Sequence, residues 1–297
     1  MPPIGSRFAR FAGRQCPVLV ADVHGPEAGP SVLLLHGGGQ TRHAWGDAAR
    51  RLGAAGWNAV ALDLPGHGDS AWIEGGDYSL PAMAAEIAAV AETLPRPLAV
   101  VGASLGGLSA MGSLLLDPPL HLDALVLVDV APRTESAGVE RVLQFMSAYP
   151  EGFPSLDEAA QHIARYRGRA FSGAREGLRK NLRRLPSGRW AWHWDPRLLD
   201  PTHHEQRRDP ALYERALHDW RGPTLLVRGV QSDVVSREGA RDLLRIVPSA
   251  RWVDLEDAGH MVAGDANDAF ADAVIAFLSE VLPPAKPGAV AVSGRGR

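Results

Sequence analysis

Three features of the sequence predict an α/β fold, with a mostly parallel sheet of about eight strands flanked by helices and one helical insertion. Short apolar runs alternate with longer amphipathic ones, the pattern of parallel strands joined by crossover helices. That alternation fails over 133–221, where helical patterns follow one another with no apolar strand between them. Within the alternating region, a Gly-x-Ser-x-Gly stands directly after a strand-like run and directly before a helical one. A chain of 297 residues, 45% hydrophobic and 22% charged, can bury the core that such a domain needs.

Taken in order, segments around 7–11 and 15–23 flank Ala12-Gly13 and read as an N-terminal hairpin. The runs 31–35, 58–62, 98–101, 124–130, 224–227 and 251–253 read as strands. Helical length and spacing mark 44–55, 81–94, 105–116, 237–246 and 265–282. The expected division is a core of 1–132 and 222–282, an inserted helical cap of 133–221, and a Pro- and Gly-rich tail of 283–297 expected to be disordered. Within the cap, helical patterns are expected at 139–148, 156–166 and 174–184. Trp190, Trp192 and Trp194 alternate with other residues there, so an extended backbone would put the three indoles on one side.

The formal net charge of −3, with no polybasic run, excludes nucleic acid as a first expectation and gives no drive toward an anionic membrane. The cap carries sixteen Lys and Arg against twelve Asp and Glu, which could attract an anionic substrate. Arg175, Arg179 and Arg183 recur at helical spacing, however, as on a solvated face. Cys16 is the single cysteine and is read as a structural thiol. No stretch approaches membrane-spanning length and no leader-like apolar run follows Arg7 and Arg10, so a cytoplasmic location is expected. His203-His204 lacks a third ligand at a usual spacing, and neither a metal nor any other cofactor is expected.

Chemistry concentrates in Gly102-Ala103-Ser104-Leu105-Gly106. A serine at such a strand-turn-helix sits in a strained backbone, and its hydroxyl projects into the crevice at the carboxyl ends of the strands. With Leu35-His36-Gly37-Gly38-Gly39 upstream, Asp63-Leu64-Pro65-Gly66-His67-Gly68-Asp69-Ser70 after the next strand, and Asp257-Ala258-Gly259-His260 downstream, the chain resembles the α/β-hydrolase superfamily over nearly its whole length.

The resemblance implies an α/β-hydrolase fold and a catalytic triad of Ser104 as nucleophile, His260 as base and a carboxylate that orients the histidine. Asp233 competes with Asp129 for that last place, since both positions are used in the superfamily. The downstream position is the commoner and Val234-Val235 resembles its usual continuation, so Asp233 is the expected acid and Asp129 the alternative. The oxyanion donors map to Gly38 and Leu105, and His36 and His67 are expected to hold loops in shape. Candidate substrate-binding residues are Gly39, Trp45, Trp192, Trp194, Val235 and Met261. A serine at the elbow points to cleavage of a small-molecule carboxylic ester or lactone through an acyl-enzyme. Carbon–carbon hydrolysis of ring-cleavage products, a perhydrolase-like activity and a non-catalytic receptor of the same fold are the alternatives. Oligomeric state is left open.

Overall fold

The computed structural model describes residues 6–168, 170, 175–260, 262 and 267–284. The strands are β1 (Arg7–Phe11), β2 (Leu19–His24), β3 (Ser31–Leu35), β4 (Asn58–Leu62), β5 (Leu98–Ala103), β6 (Ala124–Val128), β7 (Leu182–Arg184), β8 (Trp190–Trp192), β9 (Thr224–Gly229) and β10 (Arg251–Leu255). All but β7 and β8 form one eight-stranded sheet in the order β1-β2-β4-β3-β5-β6-β9-β10. From β4 to β10 every neighbour is parallel, while β2 runs antiparallel to both β1 and β4. The expected α/β-hydrolase fold is the observed one.

Strands buried on both faces are mostly apolar along their length, and β3 and β5 show why. Leu33 and Val100 point into one core layer, with α2 (Leu80–Ala91), α3 (Leu105–Ser113) and α8 (Arg237–Ile246). Val32 and Val101 point into the other, with α1 (Gly46–Ala54) and α9 (Asn267–Val281). Each fully buried Leu or Val adds about 1.5–3 kcal/mol. That packing offsets the strain at the loops where the sheet meets its crevice.

The turn from β5 into α3 requires glycine on steric grounds. A Cβ at Gly106 would lie 2.3 Å from the Leu35 carbonyl oxygen on β3, and one at Gly102 would lie 2.6 Å from the Gly107 backbone. Neither neighbour is a flexible side chain that can yield. We expect Gly106→Ala to destabilise the fold by about 1–3 kcal/mol or more, read as a lowered urea midpoint at unchanged slope.

Between β6 and β9 lie α4 (Ser136–Ser147), α5 (Leu156–Arg167), the β7–β8 hairpin, α6 (Pro201–Arg207) and α7 (Pro210–His218). This segment departs from expectation twice. The helix expected at 174–184 is a 3-10 turn, Arg175–Lys180, followed by β7. Two helices absent from the periodicity reading, α6 and α7, each begin at Asp-Pro. Asp200 and Asp209 cap them by accepting from the Thr202 and Ala211 N–H groups at 2.9 and 3.0 Å. Proline fits the first helical turn because no donor is needed there. No helix among the described residues is long and apolar enough to cross a membrane.

Candidate active site

Ser104 stands between β5 and α3 with φ 46° and ψ −116°, a conformation that L residues rarely adopt. The distortion costs about 1–3 kcal/mol and persists because the surrounding strand and helix fix it. Its hydroxyl thereby leaves the sheet and meets His260, with Oγ 3.2 Å from Nε2. His260 comes from the loop after β10. A Cβ on Gly229 would lie 2.4 Å from the carbonyl oxygens of Ala258 and Gly259, so only glycine at the end of β9 lets that loop approach.

Beyond the imidazole, Nδ1 lies 2.7 Å from Asp129 Oδ2. A carboxylate only accepts, so Nδ1 carries the proton and Nε2 is free to accept from the Ser104 hydroxyl. Asp129 follows β6 with φ 48° and is completely buried. Two further donors hold its carboxylate: the Gly229 N–H at 3.1 Å and the Ser232 hydroxyl.

The expected acid, Asp233, is not brought to His260: the structure places Asp129, the alternative, there instead. The Asp233 carboxylate meets Arg141 of α4 at 2.8 Å and is partly exposed. The loop after β9 is pinned there because α4 presses against it, with a Cβ on Gly138 placed 2.0 Å from the Asp233 carbonyl oxygen. The loop therefore offers Ser232, and not Asp233, to the histidine's partner.

The glycine loop after β3 has three of its N–H groups occupied. Gly37 donates to Gln40 Oε1 at 2.9 Å, Gly39 to His67 Nε2 at 3.1 Å, and Gln40 to the Gly37 carbonyl at 3.1 Å. That leaves the Gly38 N–H. Gly38, Leu105, Ser104 and His260 line one cavity, and Leu105 opens α3, where the first N–H groups have no partner within the helix. His67 donates from Nδ1 to the Pro65 carbonyl, and His36 from Nδ1 to the Gly37 carbonyl while accepting the Leu64 N–H. Burial pushes His36 down to about 3 and His67 well below its usual range, so both stay neutral and hold these loops.

Two chambers meet at Ser104. One, of about 100 Å³, is mostly apolar, lined by Leu108, Val130, Val139, Val142, Leu143 and Met146 among others. The second, of about 290 Å³, runs over the glycine loop toward Phe145, Tyr166, Asn181 and Trp192. Of the candidate substrate-binding residues, Gly39 and Trp192 line the larger chamber. Trp45 does not: it is fully buried against Phe270 on the far face of the sheet. Trp194 is buried in the core with its indole N–H near Gly39, and Val235 packs with Ala131 while its neighbour Val234 faces the apolar chamber. Met261 lies outside the described residues. The three tryptophans thus have different surroundings, Trp190 lying under the Arg179 guanidinium.

The alpha/beta hydrolase family, as a sequence model, matches residues 32–273. The chain belongs to that family. This alpha/beta hydrolase is 34% identical to Esterase Rv0045c of Mycobacterium tuberculosis over 274 residues, 84% of this chain and 83% of the relative. A solved structure of that esterase superposes with a TM-score of 0.72 at 31% identity, covering 94% of this chain and 93% of the other. The 3-hydroxybutyrate-oligomer hydrolase of Cupriavidus necator is 27% identical over 251 residues, 80% of this chain and 84% of its own. Family and fold make this chain a hydrolase enzyme.

Proposed function

We propose that this hydrolase cleaves carboxylic esters of small molecules through an acyl-enzyme on Ser104, with His260 as base and Asp129 as the acid. The observation that carries the reading is the unbroken hydrogen-bonded line from the Ser104 hydroxyl through His260 to buried Asp129. The esterase named above, similar over most of both chains, supports an ester as the substrate.

Ser104 Oγ attacks the ester carbonyl as its proton passes to His260 Nε2. The carbonyl oxygen becomes an oxyanion facing the Gly38 and Leu105 N–H groups, each such donor being worth ~3 kcal/mol in the transition state. The C–O bond then breaks, and the leaving alcohol takes the proton from Nε2. Water repeats the sequence on the acyl group and regenerates Ser104. Asp129 keeps the proton on Nδ1 throughout, so Nε2 remains the base. Residues 133–221 act as a cap that supplies Met146, Val142 and Trp192 above the serine and limits water access.

The test pairs turnover of p-nitrophenyl butyrate with labelling by a fluorophosphonate. We expect turnover, and one phosphonate adduct located at Ser104 by peptide mass. Turnover of a vinylogous 1,5-diketone without any ester turnover would favour the carbon–carbon hydrolase, and absence of labelling would reject the activated serine.

A further inference from the structure

The wall of the apolar chamber beside Ser104 also carries charge. Arg207, the last residue of α6, lines it and is only 9% exposed, yet no carboxylate pairs with it among the described residues. Its guanidinium makes one hydrogen bond, from Nη2 to the Tyr78 carbonyl, and its buried Nε has no partner. His204 lines the same chamber, and its buried Nε2 is also unpartnered. Burial lowers Arg207 to about 10, so the side chain remains charged at neutral pH. Burial and the neighbouring Arg207 and Arg208 push His204 down to about 4, leaving it neutral there.

A buried cation normally has an anion beside it, because removing it from water unpaired costs several kcal/mol. A purely structural arginine would spend its other donors on protein acceptors. The Nη2 bond anchors Arg207 to the start of α2, but it does not explain a charge placed in the wall of a mostly apolar cavity that opens onto Ser104.

From this geometry we infer that the chamber binds a substrate arm that is apolar along its length and ends in a carboxylate, which pairs with Arg207. This rests on the ester-hydrolase reading for the bond cleaved, but not for the binding. The arm is either the acyl group, as in a half-ester of a dicarboxylic acid, or the alcohol part, as in an acylated hydroxy acid. Arg207 would be a specificity residue that favours such esters over neutral ones of equal length.

Two measurements test it. The first compares kcat/KM for mono-p-nitrophenyl adipate with p-nitrophenyl hexanoate, and for 6-acetoxyhexanoate with hexyl acetate, in the native enzyme and in Arg207→Met. The native enzyme should prefer the carboxylate-bearing member of one pair by ~10–100-fold, the range of a hydrogen bond to a charged group. Which pair responds identifies the arm. In Arg207→Met the ratio between the two members of that pair should fall to about one, and an unchanged far-UV circular dichroism spectrum shows that the variant is folded. The second measurement needs no catalysis: adipate should raise the Tm of the native protein and not that of Arg207→Met. If neutral esters turn over but neither pair shows a preference and adipate does not bind, the inference falls and the esterase stands. If no ester is cleaved but adipate binds through Arg207, the inference stands and the esterase reading falls.

Discussion

Ser104→Ala is expected to lower kcat for p-nitrophenyl butyrate by about a millionfold and to abolish the phosphonate adduct. In the proposed mechanism Ser104 Oγ is the atom that becomes acylated, and among the described residues no second hydroxyl or thiol lines the junction of the two chambers. The fold should survive, since the side chain borders a cavity and its oxygen makes its one hydrogen bond to His260. The strain at this position gives a second readout. Alanine inherits the φ of 46°, whereas glycine adopts positive φ without the Cβ clash. Ser104→Gly should therefore be as inactive as Ser104→Ala but more stable by about 1 kcal/mol, seen as a higher Tm. Equal stability of the two variants would show that the elbow stores no strain, and retained esterase activity in either would reject Ser104 as nucleophile.

The sheet was legible because its central strands are buried on both faces and therefore read as unbroken apolar runs. Ser104 was legible because its flanking glycines are forced by backbone contacts with Leu35 and Gly107, which leave a fixed spacing in the chain. The aspartate that meets His260 was not, because both candidates follow strands that end at the same crevice. The choice between them is made by the φ of Asp129 and by the approach of α4 at Gly138, neither of which a spacing reveals. A signal did exist: Asp129 interrupts the apolar run from Leu125 to Ala131, and a carboxylate buried in such a run needs strong donors. Trp45 likewise falls in register with Ala48, Ala49 and Leu52, the buried face of α1, which places it in the core and not in the site. Arg207 carries no signal in sequence, since its burial and its lack of a carboxylate depend on how α6 lies against α2.

Asp129→Asn is expected to lower kcat by ~10³–10⁴, and Asp233→Asn to leave it within about a factor of three. The carboxylate of Asp129 faces three donors: His260 Nδ1, the Gly229 N–H and the Ser232 hydroxyl. An amide has one oxygen and one NH₂ in the same space, so at least one donor must face another donor. If the NH₂ turns toward His260, the imidazole places its proton on Nε2 and can no longer accept from Ser104. If it turns toward Gly229, that buried N–H loses its acceptor, at a cost of about 1–3 kcal/mol in stability. Activity and Tm measured together show which orientation prevails. Asp233→Asn removes only a half-exposed ion pair with Arg141, worth about 0–1 kcal/mol, from a side chain that does not touch the imidazole. A crippled Asp233→Asn beside a near-native Asp129→Asn would restore the downstream aspartate as the acid and require the loop after β9 to rearrange during turnover.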